Sequence, residues 1–278
     1  MKTIKILVAC HKPVGLFRDD MYIPIHVGRS GGGGNYDMAD MIGDDTGDNI
    51  SEKNPLYCEL TAQYWAWKNL HDVEHVGFCH YRRFFAIEMS EEKISKLLDQ
   101  YDVIALKFHY HLPMYWEIVR YISMEHLTIL LMVIKKKYPE YEQTMIDYLQ
   151  GNILYAKNMF ICRKVFFDEY AKWLFDILFE CEKHMRTMPY SRANRSLAYM
   201  GEYLMPVYMM HHHRKMAFVD YSDSPDIVKG KSIRCFLGNN LKDMVHSLIL
   251  LFVKRPKVLE DYYIEAVLTG FKQDKITI

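Results

Sequence analysis

The strongest chemical signal lies at residues 76–85, where the chain reads Val76-Gly-Phe-Cys-His80-Tyr81-Arg82-Arg83-Phe-Phe85. An apolar run passes directly into His80, Tyr81, Arg82 and Arg83 and returns at once to aromatics. Guanidinium groups grip phosphate oxygens bidentately, and ligands of open α/β sheets bind beyond the carboxyl ends of strands. His80, Arg82 and Arg83 therefore form a candidate diphosphate grip, with Tyr81 as a stacking face. A surface ion-pair cluster is the plainer reading, but aromatics on both sides argue against free solvation. A second signal is Glu202, the sole carboxylate between residues 196 and 211 in an apolar and aromatic stretch. Enclosure raises the pKa of such a group into the range of a general base near neutral pH; a glutamate on a helix surface is the alternative.

Residues 43–54 add a dense run of short polar side chains ahead of a helix, among them Asp48, Asn49, Ser51 and Asn54. They have the chemistry to hold ribose hydroxyls or a base edge, and the helix N-terminus favours an anion. They are also what any capping loop contains. In the helix that follows, Tyr57, Tyr64 and Lys68 fall at spacings of seven and four, so they share a face. Glu59 and Gln63 form an i, i+4 polar pair among apolar neighbours, and buried polar groups need partners. Trp65 and Trp67 read as core. The run His211-His212-His213 reads as a helix end rather than a metal site, because adjacent histidines on a helix point in different directions. Asp45 with Asp48, and Asp223 with Asp226, have loop spacing; they leave room for a divalent ion (Mn or Mg) without requiring one.

Alternating elements are needed to position these groups. Residues 2–10 read as a strand, 22–27 as a second extended piece, and 56–70 as a helix opened by Asn54 and Pro55. Strands at 74–79 and 101–106 flank a helix over 90–100. The alternation predicts an α/β sheet of nucleotide-binding style. Helices at 115–137, 140–149 and 164–185, a strand at 156–162, and a helix at 196–211 interrupted near Pro206 follow. A last strand is expected at 216–221, and a helical tail from 241 broken by Pro256. The four glycines at 31–34 suggest a mobile loop near a site, since ordering them costs backbone entropy. With no repeat, linker or composition shift, the chain reads as one domain over 1–278, its halves meeting near residue 110.

Composition excludes several classes. The 278 residues carry 35 Lys+Arg against 35 Asp+Glu, with 50% hydrophobic and 25% charged residues, which is globular composition. A formal net charge of zero gives no overall field to hold nucleic acid. Six scattered cysteines without a C-x-x-C pair suggest buried thiols in a reducing, cytoplasmic setting. The short apolar start lacks signal-peptide features, and no segment reaches the ~18 apolar residues of a membrane span. Residues 241–257 join apolar side chains to Lys254, Arg255 and Lys257, which suits peripheral contact with the inner face of a membrane as well as an ordinary packed helix.

Taken in order, the motifs resemble a known family. They are Ile4-Lys-Ile-Leu-Val-Ala-Cys-His-Lys-Pro13, Ile25-His-Val-Gly28, Thr46-Gly-Asp-Asn-Ile-Ser51, Lys53-Asn-Pro-Leu-Tyr-Cys-Glu-Leu-Thr61, Tyr64-Trp-Ala-Trp-Lys-Asn69 and Gly77-Phe-Cys-His-Tyr-Arg-Arg-Phe-Phe85. Later come Lys137-Tyr-Pro-Glu-Tyr141, Asn158-Met-Phe160, Tyr170-Ala-Lys-Trp-Leu-Phe175 and Glu202-Tyr-Leu204. The chain is similar to bacterial capsular and exopolysaccharide glycosyltransferases long catalogued as a domain of unknown function. The resemblance implies a GT-A-like mixed sheet flanked by helices, with a helical C-terminal part and a nucleotide-sugar donor in the half before residue 110. It favours UDP-galactofuranose as donor, a UDP-pyranose being the alternative, and a glycan or lipid-linked glycan as acceptor. On this reading Lys12, Asp48, Asn49, Ser51 and Asn54 hold the nucleotide, with Glu59 and Lys68 nearby. His80, Arg82 and Arg83 take the diphosphate, replacing or assisting a metal, while Tyr57, Tyr64 and Tyr81 stack. Glu202 is the base. Two departures are the run Gly31–Gly34 and Gly201-Glu202-Tyr203, which stands where a Ser-Glu-Arg-like run is expected. A non-catalytic carbohydrate-binding subunit is the rival from another class.

Overall fold

Continuous apolar runs, rather than alternating ones, mark strands covered on both faces, and the first strand obeys this rule. In the computed structural model, β1 (Ile4–Cys10) is buried along almost its whole length. The structure describes residues 3–13, 20–31, 38, 40–86, 90–186, 192–223 and 235–253. Gly32, Gly33 and Gly34 of the glycine run, Pro256 and the end of the 241–257 segment lie outside these.

After β1 come β2 (Tyr22–His26), β3 (Ile42–Gly43), α1 (Asn54–Tyr57), α2 (Leu60–Asn69) and β4 (His75–His80). Next are β5 (Phe84–Phe85), α3 (Glu91–Gln100), β6 (Val103–His109), α4 (Met114–Ile118), α5 (Met124–Lys137) and α6 (Glu142–Gln150). The chain continues through β7 (Ile153–Arg163), α7 (Lys164–His184), α8 (Ser196–His211), β8 (Met216–Phe218), β9 (Tyr221–Ser222) and α9 (Cys235–Phe252). Seven strands form a sheet in the order β3-β2-β1-β4-β7-β6-β8, and β5 pairs separately with β9. The sheet is parallel except at β7, which runs antiparallel to both β4 and β6. The expected mixed sheet flanked by helices is thus present, and strands from both sides of residue 110 interleave in it.

Two cores line the sheet. The larger joins its one face to α2, α5, α7 and α8; the smaller fills the other face beneath α3. On the larger side Phe167 of α7 packs on Phe78 of β4 at 4.9 Å and on Phe160 of β7 at 6.3 Å between ring centroids. Trp65 and Tyr64 belong to that core, as does Trp67 at its edge, stacked on Phe175 at 5.9 Å.

Three sequence expectations are corrected. The helix read over 56–70 is two helices, because Cys58 adopts a left-handed backbone with φ 48° and breaks it. The helix read over 115–137 is also two, with Ser123 capping the second through a bond from the His126 amide. Conversely, α8 runs through Pro206 without interruption. Proline lacks the N–H that the carbonyl four residues back would receive, and that carbonyl belongs to Glu202.

The Phe167 ring lies wholly inside the α7–sheet contact, so Phe167→Ala is expected to cost about 3–5 kcal/mol. Urea unfolding of wild type and variant measures this; a loss below ~1 kcal/mol would mean the three-ring contact does not hold α7 to the sheet.

Candidate active site

Beyond the carboxyl ends of β1, β2 and β4 the chain turns sharply three times, and a two-lobed cleft opens among these turns. The Tyr81 amide donates to the Ala9 carbonyl at 3.2 Å, and the Arg83 amide to the His80 carbonyl at 3.1 Å. The His80–Arg83 segment is therefore a tight turn rather than a loose loop, carried into β5. Tyr81 sits among His11 (ring centroids 4.9 Å), Lys12 (5.7 Å) and Arg82 (5.0 Å). The first lobe, with a cavity volume of about 570 Å³, is lined by Ala9, His11, Val27, Gly28, Asn54, Pro55, Cys58, Glu59, His80, Tyr81, Arg82 and Arg195. The second, about 300 Å³, shares Cys58, Glu59, His80, Tyr81, Arg82 and Arg195 with it. It adds Arg83, Tyr110, Tyr121, Leu154, Lys157, Ala198, Tyr199, Glu202 and Tyr203.

Each wall has a local cause. Arg195, Ala198, Tyr199, Glu202 and Tyr203 fall at i, i+3, i+4, i+7 and i+8, one face of a helix, which is the stripe that α8 and the turn before it present to the cleft. The kink at Cys58 stops α1 and lets Glu59 begin α2, with its carboxylate accepting from Asn158 Nδ2 at 2.8 Å. Opposite, β7 contains Ala156, Lys157 and Asn158 in succession at φ 70°, 49° and 59°. Left-handed backbone is costly for residues other than glycine, and such strain gathers at functional sites. Here it shifts the register against β6 between Ala105 and Lys107 and places Lys157 on the wall of the second lobe. The Lys157 carbonyl also meets His80 Nε2 at 3.2 Å.

Charge in this cleft is shifted in opposite senses. Burial, reinforced by Glu59, pushes the Glu202 carboxyl up to about 8, against the opposing pull of Lys157 and Arg83. Burial lowers Lys157, while Glu202 pulls it back up. His11 is lowered by burial and then by Lys12, Arg82 and Arg195, a direct mark of the positive field around the first lobe. Burial holds the Cys58 thiol up at about 12, so it stays protonated.

Of the residues singled out in the sequence, His80, Tyr81, Arg82, Arg83, Asn54, Glu59 and Glu202 meet at this cleft, and Lys12 stands beside it over Tyr81. The others do not line it. Tyr57 is fully buried and donates to Glu182 Oε2 at 2.9 Å. Tyr64 is packed on Phe175 at 5.0 Å and donates to Asp48 Oδ1 at 3.1 Å. Lys68 lies 3.7 Å over the Trp67 ring and 3.7 Å from Asp48 Oδ2. The Asp48 amide and carbonyl are both taken by the Asn69 side chain, and Asn49 accepts from the Ser51 amide. Ser51 is buried and donates to Asp44.

That last pair explains the acidic loop. Asp44 accepts from the Gly28 amide at 2.8 Å and the Arg29 amide at 3.3 Å, and Ser51 accepts from the Ser30 amide at 3.1 Å. The carboxylate thus ties down the turn after β2. At Gly28 (φ +72°) a Cβ would stand 2.7 Å from the Asn54 side chain, so a glycine is needed for the close approach. His11, Lys157, Arg195, Tyr110, Tyr121, Tyr199 and Tyr203 were given no role at the site from the sequence. Only helical spacing from Glu202 could have found Arg195 and Tyr199; nothing in the spacing around Lys157 announces its left-handed turn. Among the described residues no group of three or more His, Cys, Asp or Glu side chains is placed to hold a metal ion. Nor is any helix among them long and apolar enough to cross a membrane.

Comparison with known proteins agrees with this architecture. Residues 5–214 match a family model described as "Domain of unknown function (DUF4422)". The solved apo structure of the WbbM bifunctional glycosyltransferase is 28% identical, with a TM-score of 0.71 over 79% of this chain. The match covers 45% of the WbbM chain, so this chain spans under half of that protein. No curated protein matches. The sheet and this likeness make the fold GT-A-like.

The raised Glu202 carboxyl has a consequence for stability. In the fold it holds its proton to about pH 8, against an ordinary 4.5. The folded state therefore binds the extra proton, and stability falls as pH rises from near the unfolded value through the folded one. Glu202→Gln removes this loss. Its melting temperature should equal wild type at pH 5 and exceed it at pH 9, by roughly 2–4 °C for each kcal/mol recovered. Thermal melts at the two pH values decide; an equal offset at both would show that Glu202 titrates normally.

Proposed function

We propose a glycosyltransferase function for this chain, which belongs to the DUF4422 family. The observation that carries the proposal is one cleft lined by both a buried carboxylate, Glu202, and the cations Arg82, Arg83, Lys157 and Arg195. A nucleotide-diphosphate sugar calls for both kinds of group in one site. Its diphosphate leaves with growing negative charge, which fixed cations stabilise more in the transition state than before it. Its acceptor needs a base on the other side of the reacting carbon.

In the proposed reaction the acceptor hydroxyl oxygen attacks the anomeric carbon. The bond from that carbon to the diphosphate oxygen breaks, and the hydroxyl proton passes to the Glu202 carboxylate. The nucleoside diphosphate departs with the bonding pair, and a single displacement inverts the anomeric centre. The first lobe, walled by His11, Gly28 and Asn54, is assigned to the nucleotide. The second, with Tyr110, Tyr121 and Tyr199 around Glu202, is assigned to the sugar and acceptor, since tyrosine offers both a ring face and a hydroxyl.

The finer reading takes UDP-galactofuranose as donor and a growing capsular, exopolysaccharide or O-antigen glycan as acceptor; it rests on the motif resemblance. Charge neutralisation is given to the cationic side chains Arg82, Arg83, Lys157 and Arg195, which line one cleft together. WbbM is named a bifunctional glycosyltransferase, which supports the activity class here.

Incubation with a panel of UDP-sugars, read by mass spectrometry for hydrolysis or transfer, tests the proposal. Turnover should appear with UDP-galactofuranose, and Glu202→Gln should lower kcat about 10²–10⁴-fold. Arg82→Ala should weaken donor use. No turnover and no saturable UDP binding would leave a non-catalytic carbohydrate-binding subunit as the reading.

A second measurement concerns the metal. Chelation by EDTA should leave the rate within about twofold of the untreated enzyme, since the cationic side chains do the electrostatic work. Abolition by EDTA and rescue by Mn or Mg would return the charge-neutralising role to a divalent ion.

A further inference from the structure

The helix α9 is amphipathic in the inverted sense. Two of its polar residues, Asp243 and His246, turn toward the body of the protein. Asp243 pairs with Lys107 and His109, and His246 Nδ1 meets the Tyr110 carbonyl at 2.9 Å. The His246 carbonyl accepts from Asn152 Nδ2 at 2.9 Å. Meanwhile Leu241, Met244, Val245, Leu248, Leu251 and Phe252 stand exposed, Leu251 at 71% and Phe252 at 89%. Their spacing of i, i+3, i+4, i+7, i+10 and i+11 is a single stripe along one face. A helix packing only against its own domain would bury that stripe and show its polar residues to water.

Charge identifies what the stripe suits. Lys242 is exposed beside it, and the sequence continues with Lys254, Arg255 and Lys257. Asp243 is the one carboxylate between residues 241 and 257, and it is turned inward and paired. An apolar face with an exposed lysine beside it and no carboxylate on it is complementary to an anionic lipid surface. A second copy of the chain suits it less, because matching stripes would bring like charges together.

We propose that α9 lies on the surface of an anionic phospholipid membrane, with Leu248, Leu251 and Phe252 entering the headgroup boundary. The inward side of the same helix is bonded to Tyr110, a wall residue of the second lobe, so the docked membrane would border that lobe. This inference does not rest on the proposed reaction.

Flotation of the full chain tests it, with vesicles of phosphatidylcholine alone and with phosphatidylglycerol added. The protein should float with the anionic vesicles, less so as salt is raised, and remain at the bottom with the neutral ones. Because Leu248 and Leu251 point away from the body, Leu248→Glu/Leu251→Glu should keep the wild-type circular dichroism and melting temperature. It should lower vesicle partition about tenfold or more, since apolar contact is lost and negative charge added. Failure to float with either vesicle overturns the proposal. So does a wild-type dimer in analytical ultracentrifugation that the double variant converts to monomer, which would assign the stripe to a second copy.

Discussion

A carboxylate enclosed with little water is stable only if other groups answer for its charge, and that constraint organises the whole cleft. Glu202 is set among Glu59, Lys157 and Arg83, two influences raising and two lowering its proton affinity in sum with burial. Desolvation prevails, and the group stays protonated to about pH 8. Lys157 and Arg83 draw it back toward the range in which a base is useful. Were the burial absent, it would be an ordinary acid with little proton affinity. The useful range exists because the two are opposed, so every element that fixes one of these four side chains matters to the others.

Those elements are held by irregular backbone at three places. Cys58 breaks a helix so that Glu59 can start the next one facing the cleft. Three successive left-handed residues in β7 aim Lys157 and Asn158, and Asn158 then bonds Glu59. Pro206 removes the donor that the Glu202 carbonyl would otherwise meet within α8. Each local irregularity is affordable because the surroundings are regular and packed: β7 is clamped between β4 and β6, and α8 lies against β7 and α7. Strain in such a frame cannot relax without disturbing two strands at once.

Legibility in the sequence followed the range of the interactions. The strand β1, the helix α3 with its Ser90 cap, and the long helix α7 were readable because apolar runs, capping residues and periodicity are local properties. His80, Tyr81, Arg82 and Arg83 were readable because a strand delivered them abruptly into a polar turn. The partners of the acidic loop were not legible, for the opposite reason. Asp44 and Ser51 have the composition of a ligand-binding loop, but their partners are backbone amides from Gly28 to Ser30, which only the folded chain brings near. Tyr57 and Tyr64, expected on one helix face, stand on separate helices, α1 and α2, and both rings meet Phe179 of α7 rather than a cavity. Lys157 went unnoticed because its role depends on three backbone dihedrals that no neighbouring glycine advertises.

Among the chain's 21 tyrosines, two sets follow the same division. One set, including Tyr57, Tyr64, Tyr138 and Tyr141, is built into the packing with hydroxyls bonded to Glu182, Asp48, Asp176 and His212. Another set, Tyr81, Tyr110, Tyr121, Tyr199 and Tyr203, surrounds the cleft. Phenylalanine would fill the first positions almost as well, apart from the hydroxyl partners. It would serve the second poorly, because a cleft that must admit a polar ligand and exclude bulk water needs surfaces that are apolar in the ring and hydrogen-bonding at the tip. Burial raises the Tyr110, Tyr199 and Tyr203 hydroxyls, Tyr110 to about 12, so these three stay protonated and stand beside Glu202 as neutral donors.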